Sequence, residues 1–291
     1  MPGAAGRHRP LSSGAANAVA GAVPACKDPG MLILADDLGH LSYSVIGEGP
    51  PLVLVHAGVA DHRMWDAVVP VLAEQYTVIR YDLRGFGESA PPAGPFRETD
   101  DLCRLLDHLG LDRVRLVGAS WGGRVAVNFT LAHPGRVRSL ALLAPPWPGY
   151  DWSSDMIAYD EAETAALAAG DLDTAVGVNL DMWLRGPARS WQDVAPGLAD
   201  RLRDPVRTSL VNQDAVGEHS QGGPAGDLAT IGVPTLVGIG RLDIADFQDI
   251  ARRYTSAIPG ADLVEFATAA HLIALDAPTE LTAELVRFLA Y

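Results

Sequence analysis

The residues with the clearest chemical capacity stand in Val114-Arg115-Leu116-Val117-Gly118-Ala119-Ser120-Trp121-Gly122-Gly123. An apolar run ends at Gly118, and an amphipathic run from Arg124 to His133 begins after Gly123. One serine sits between them in a G-x-S-x-G setting. Small residues on both sides let the chain double back without a Cβ clash, which predicts a sharp strand-to-helix turn with Ser120 Oγ exposed at its tip. The N-terminus of the next helix then lies beneath that oxygen and favours developing negative charge. Ser120 is therefore a candidate nucleophile. A serine hydroxyl is weak at its free pKa and needs an adjacent base.

Position along the chain selects that base among eight histidines. His8 is in the N-terminal tail, and His62 and His108 are expected on helical or loop surface. His133 precedes a proline at a helix end, and His219 falls in a helical stretch. His271 alone follows the last strand-like run, in Ala267-Thr268-Ala269-Ala270-His271. The acid should end the preceding strand, and Thr235-Leu236-Val237-Gly238-Ile239-Gly240-Arg241-Leu242-Asp243 delivers Asp243 just past it. Asp246 competes, but it stands where a helix N-cap is expected, and capping accounts for it. One strand earlier, Ala144-Pro145-Pro146 offers no carboxylate. The chain order Ser, Asp, His suits an elbow serine. A tetrahedral oxyanion would need two donors. One is the backbone N–H of Trp121; the loop His56-Ala57-Gly58-Val59 is expected to supply the other.

These positions require particular elements. Leu32 to Ala35 and Leu41 to Ile46 read as an antiparallel pair turning at Asp37-Leu38-Gly39, and Leu52 to Val55 as a short strand buried on both faces. Trp65, Val68, Val69 and Leu72 share a helical face. Thr77 to Tyr81 is the next strand, followed by a helix from about Arg97 to Leu109, the elbow, and a strand from Ser139 to Leu143. Residues 145–227 lose the strand signal and read as helices: Met156 to Ala169, Leu172 to Leu184 and Leu198 to Val216. Gly186-Pro187 and Gly222-Gly223-Pro224 punctuate this inserted helical cap. Alternation resumes with Thr235 to Ile239, Asp246 to Ser256, Leu263 to Phe266 and a last helix carrying Leu281, Leu285 and Phe288. Residues 31–144 and 228–291 thus form an α/β core around a mostly parallel, doubly wound sheet, with the site at the C-terminal ends of its strands.

With these pieces assembled, the chain from Met31 to Tyr291 resembles the α/β-hydrolase superfamily. The resemblance rests on the His56 loop with Arg63-Met64-Trp65, Asp82-x-Arg84-Gly85-x-Gly87-x-Ser89, the elbow, Gly240-x-x-Asp243 and His271. It is greatest to the lactonase and esterase group that includes 3-oxoadipate enol-lactonases and cofactor-free haloperoxidases. The family's usual His-Gly-x loop is His56-Ala57-Gly58 here. Register from Met64-Trp65 puts Gly58 at the oxyanion position, with Val59 as the alternative. The resemblance implies acyl transfer to water through an acyl-enzyme on Ser120, with a small apolar ester or lactone as substrate and no cofactor or metal. It also implies that His56 braces its loop and that Arg84 and Gly85 shape a neighbouring turn. Serine at the elbow disfavours epoxide hydrolases and haloalkane dehalogenases, in which aspartate is expected there. Carbon–carbon bond hydrolysis, or another specialised step of secondary metabolism, uses the same triad and is the alternative. A noncatalytic ligand-binding homologue is the third, since fold alone does not fix function.

Four of the six tryptophans, Trp147, Trp152, Trp183 and Trp191, fall in or beside the cap. They either dock it on the core or wall an apolar pocket, for which Met64, Trp121 and Trp183 are the candidates. The net charge of −14 argues against nucleic acid, which needs a basic face. No uncharged apolar stretch is long enough to span a bilayer, so no membrane partner is expected. Cys26 and Cys103 are read as unbridged, with Cys103 a small core residue, which fits a reducing, cytoplasmic setting. No Cys/His cluster has zinc spacing. Residues 1–30, rich in Ala, Gly, Pro and Ser, read as a disordered leader with Met31 a candidate original start. A weaker export reading rests on Arg7-His8-Arg9 ahead of Val23-Pro24-Ala25-Cys26. A small-molecule substrate and a possible homodimer complete the expected partners.

Overall fold

The computed structural model describes residues 30–223 and 226–290, and the readings made for the leader and for Cys26 lie outside them. Its strands are β1 (Leu32–Asp36), β2 (Gly39–Ile46), β3 (Pro51–Val55), β4 (Thr77–Tyr81), β5 (Val114–Ala119), β6 (Val137–Leu143), β7 (Thr235–Gly240) and β8 (Asp262–Phe266). They form one sheet in the order β1-β2-β4-β3-β5-β6-β7-β8. The first hairpin is antiparallel and β2 joins β4 antiparallel; every pairing from β4 through β3 to β8 is parallel.

The helices are α1 (Val69–Leu72), α2 (Glu98–His108), α3 (Trp121–Ala132), α4 (Ser154–Ala168), α5 (Leu172–Asn179), α6 (Leu198–His219), α7 (Ala245–Ala257), α8 (Ile273–Asp276) and α9 (Pro278–Leu289). Side chains along a strand alternate between faces, so β3 feeds two cores. Leu52 and Leu54 join Trp65, Leu72, Leu281 and Leu285 on one side. Val53 and Val55 join Leu102, Leu105, Phe129 and Ile250 on the other. At about 1.5–3 kcal/mol per fully buried aliphatic side chain, this two-sided burial explains why β3 carries apolar residues on both faces.

Several local expectations change. The residues Trp65, Val68, Val69 and Leu72 are all buried but do not share one helix. A 3-10 turn, His62–Trp65, is followed by the one-turn α1, because Pro70 has no N–H to continue the earlier turn. The run expected as one helix from Leu172 to Leu184 leaves α-geometry after Asn179 and continues as a π-helical turn, Leu180–Arg185. Cys103, at the middle of α2, is only partly buried, with Arg136 Nη1 3.6 Å from its sulfur. His62 is buried rather than on the surface, because Asp82 accepts from both its backbone N–H and its Nδ1. Among the described residues, no helix is long and apolar enough to cross a membrane.

Candidate active site

Strand register gathers the site. Val55 pairs with Gly118, Ala119 with Leu143, Leu143 with Gly238 and Gly240 with Phe266. The loops leaving β3, β5, β7 and β8 therefore emerge at one edge of the sheet. Strand order changes direction between β3 and β5, which is where ligands settle in open parallel sheets.

Ser120 leaves β5 with φ 49° and ψ −118°, a left-handed conformation that costs an L-residue about 1–3 kcal/mol and persists only where neighbours enforce it. The enforcement is visible. Ser120 N–H donates to Leu143 O at 2.7 Å. A Cβ on Gly118 would lie 2.2 Å from Gly122 O, and one on Gly122 would lie 2.4 Å from Val55 O. Only glycine at both positions lets β5, α3 and the end of β3 approach this closely.

The structure brings Ser120, His271 and Asp243 into one hydrogen-bonded chain. Ser120 Oγ lies 2.8 Å from His271 Nε2, and His271 Nδ1 lies 2.8 Å from Asp243 Oδ2. A carboxylate only accepts, so Nδ1 carries the proton and Nε2 is free to accept from the serine hydroxyl. Asp243 Oδ1 accepts Ile244 N–H at 2.8 Å, which fixes the carboxylate in turn. Gly240 permits this meeting: a Cβ there would fall 2.1 Å from Ala270 O. Asp243 and His271 are 4% and 3% exposed, and the imidazole lies between the rings of Phe247 and Trp183, with centroids 4.4 Å and 4.6 Å away. Bulk water therefore reaches the pair poorly.

Asp246 does not cap its own helix, as its sequence position suggested. Ile244 is the N-cap of α7, and the Asp246 carboxylate instead accepts Ser153 N–H at 3.0 Å and Ser153 Oγ–H at 2.6 Å. It thereby ties the start of α4 to α7, with both of its oxygens engaged by Ser153.

Trp121 is the first residue of α3, so its N–H is among those a helix leaves without an intrahelical acceptor. Gly58 lies against it: a Cβ on Gly58 would be 3.4 Å from Trp121 Cβ. His56 spans the base of this loop, with Nδ1 2.8 Å from Ala57 O and Nε2 accepting Leu83 N–H at 2.9 Å. Burial pushes the His56 pKa down, with nearby Asp82 opposing, so the ring is held neutral. Beside it Arg84 pairs with Asp101 and Asp36, while Gly85 adopts φ +80°.

Ser120 opens into a cavity of about 370 Å³ that Gly58, Val59, Phe86, Trp121, Trp183 and Phe247 help to line. Trp121 and Trp183, two of the three expected pocket residues, line this cavity, and the Arg124 guanidinium stacks 3.5 Å from the Trp121 ring centroid. Met64 does not. It is buried beneath the His56 loop, its sulfur 3.3 Å from Ala57 N, because an unbranched apolar side chain packs as readily under the loop as into a pocket. The sequence reading also missed Tyr159, Glu163 and Asn179, which line the same cavity from α4 and α5. Their mixed polarity on helices gave no signal beyond a solvated face. Among the described residues, Asp61, His62 and Asp82 bring three potential metal-ligand atoms within 4.8 Å of one another. Asp61 is engaged by Arg63, and Asp82 by His62 and by Glu88 N–H, so hydrogen bonds already occupy the group.

Comparison with known proteins fits this geometry. A family model described as the alpha/beta hydrolase fold matches residues 50–278. A soluble epoxide hydrolase of Corynebacterium sp. (strain C12) is 41% identical over 107 residues, which cover 36% of this chain and only 37% of that enzyme. The solved structure of Est816, an N-acyl homoserine lactone degrading enzyme, is similar with a TM-score of 0.74 at 26% identity, over 88% of this chain and all of that one (100%). The enol-lactonase from Burkholderia xenovorans LB400 shares the fold at 24% identity, with a TM-score of 0.75 over 89% of this chain and 100% of its own. Its strand order, its serine turn and the family match over most of its length make this chain a member of the α/β-hydrolase family.

Proposed function

We propose that the protein is a serine hydrolase that cleaves a small apolar ester or lactone through an acyl-enzyme on Ser120. The observation that carries this reading is the continuous chain Ser120–His271–Asp243, with both links at 2.8 Å, on the wall of an apolar cavity. His271 Nε2 takes the Ser120 proton as Oγ attacks the acyl carbon, and Asp243 stabilises the imidazolium that forms. The oxyanion settles on the N–H groups of Gly58 and Trp121, each of which contributes about 3 kcal/mol if it behaves like other such donors. His271 returns the proton to the leaving oxygen. It then activates water, which releases the acid and restores Ser120. The helices α4 to α6 act as a cap that carries Trp183 over the imidazole.

The epoxide hydrolase relative raises a competing chemistry. Epoxide opening of that type calls for a carboxylate nucleophile, and position 120 is serine, which favours acyl transfer. Hydrolysis of p-nitrophenyl acetate and butyrate by the wild type, lost in Ser120→Ala, tests the reading. An unchanged rate in the variant contradicts it, and so does turnover of an epoxide with none of the esters.

A further inference from the structure

From residues 152–220 the cavity beside Ser120 is lined by apolar and neutral polar side chains and, among the described residues, by one carboxylate, Glu163. Tyr159 and Glu163 stand one turn apart on α4, and Asn179 ends α5. The Tyr159 hydroxyl lies 2.8 Å from Glu163 Oε2 and 2.8 Å from Asn179 Oδ1. Asn179 Nδ2 reaches Glu163 Oε2 and also donates to Ala175 O at 3.0 Å.

Counting protons exposes an imbalance. Tyr159 has one hydroxyl proton for two acceptors, and the two amide protons of Asn179 go to Ala175 O and Glu163. Glu163, as a carboxylate, brings only lone pairs. Both donors that reach it converge on Oε2, and no described residue donates to Oε1. Asn179 is 2% exposed and fixes the cluster from behind, while Tyr159 and Glu163 are partly exposed where they line the cavity, so water or a ligand donor can reach the carboxylate. The other polar side chains of this lining are neutral: Gln213 is exposed, Ser209 Oγ donates to Val206 O, and Ser220 Oγ donates to Glu98 Oε1.

We propose that Glu163, held by Tyr159 and Asn179, accepts a hydrogen bond from a hydroxyl or ammonium group that the substrate carries apart from its scissile carbonyl. The ligand is then an apolar body with one donor. Aromatic walls suit the body, and the single carboxylate selects the donor. The inference deepens the hydrolase reading for the same cavity, but its test is a binding measurement that does not require turnover.

Full-length Ser120→Ala is titrated with ethyl heptanoate, ethyl 6-hydroxyhexanoate and ethyl 6-aminohexanoate, following tryptophan fluorescence and checking by calorimetry. At least one donor-bearing ester is expected to bind about 10-fold or more tightly than the heptanoate, the range for one hydrogen bond to a charged group. The tighter of the two identifies the donor. Adding Glu163→Leu should erase the preference while the heptanoate Kd stays within about 2-fold. Glu163→Gln serves if the leucine variant does not fold, and should cost the ammonium ester more than the hydroxyl ester. Equal or tighter binding of the heptanoate by Ser120→Ala, or a donor preference that survives loss of the carboxylate, overturns the proposal. Wild-type turnover of the same esters is scored separately: intact binding preference without turnover removes the hydrolase reading and leaves the Glu163 site standing.

Discussion

At the residue scale, the decisive feature is that three loops approach closer than any side chain allows. Gly122 shows it best, since an added Cβ would meet Val55 O at 2.4 Å and His56 O at 2.5 Å, and backbone cannot swing aside as a side chain can. Gly122→Ala is expected to destabilise the fold by more than about 2 kcal/mol and to abolish activity, as read from denaturant midpoints and kcat. Asp243→Asn should leave stability nearly intact yet lower kcat by about 10⁴-fold, because the amide would favour the wrong imidazole tautomer. These residues were legible in the sequence because glycine spacing and strand order constrain them jointly. Met64 and the Tyr159–Glu163–Asn179 cluster were not. A methionine suits either a core or a pocket, and polar residues one helical turn apart suit any solvated face.

At the element scale, the question is what holds the inserted helices over the sheet. Asp246 answers part of it by accepting two hydrogen bonds from Ser153 at the start of α4. Asp246→Ala is expected to cost about 1–3 kcal/mol in thermal or chemical unfolding and to raise KM with kcat largely kept. A collapse of kcat instead, of the size expected for Asp243→Asn, would make Asp246 the acid. The sequence placed α4 to α6 within a few residues because their apolar periodicity is local. It could not show the π-helical turn at Leu180–Arg185, which sets Trp183 against His271 and Tyr159. Such turns follow from tertiary packing and often mark functional sites. The break before α1 was foreshadowed by Pro70, whose effect the shared apolar face obscured.

At the scale of the molecule, acid sensitivity follows from a buried base. Burial lowers the folded-state pKa of His56 below its ordinary 6.5, against the opposing pull of Asp82. The unfolded chain therefore takes the proton first. The contribution of His56 to stability is complete above pH 6.5 and is lost as pH falls from there toward the folded value, by up to about 1.4 kcal/mol per pH unit. Burial raises the Asp101 and Asp276 carboxyls, which gives the opposite sign, so the difference between wild type and His56→Gln is the useful quantity. Between pH 7 and 5 the wild type should lose stability faster than this variant in parallel melts; equal slopes contradict the assignment.

The proposed hydrolysis requires Ser120 to be an activated nucleophile. Labelling the folded full-length protein with a fluorophosphonate and mapping the adduct by peptide mass spectrometry tests that directly. One adduct, on Ser120, is expected, absent in Ser120→Ala and formed far more slowly in His271→Gln. A folded wild type that takes no label, or takes it at another residue, would contradict the central claim.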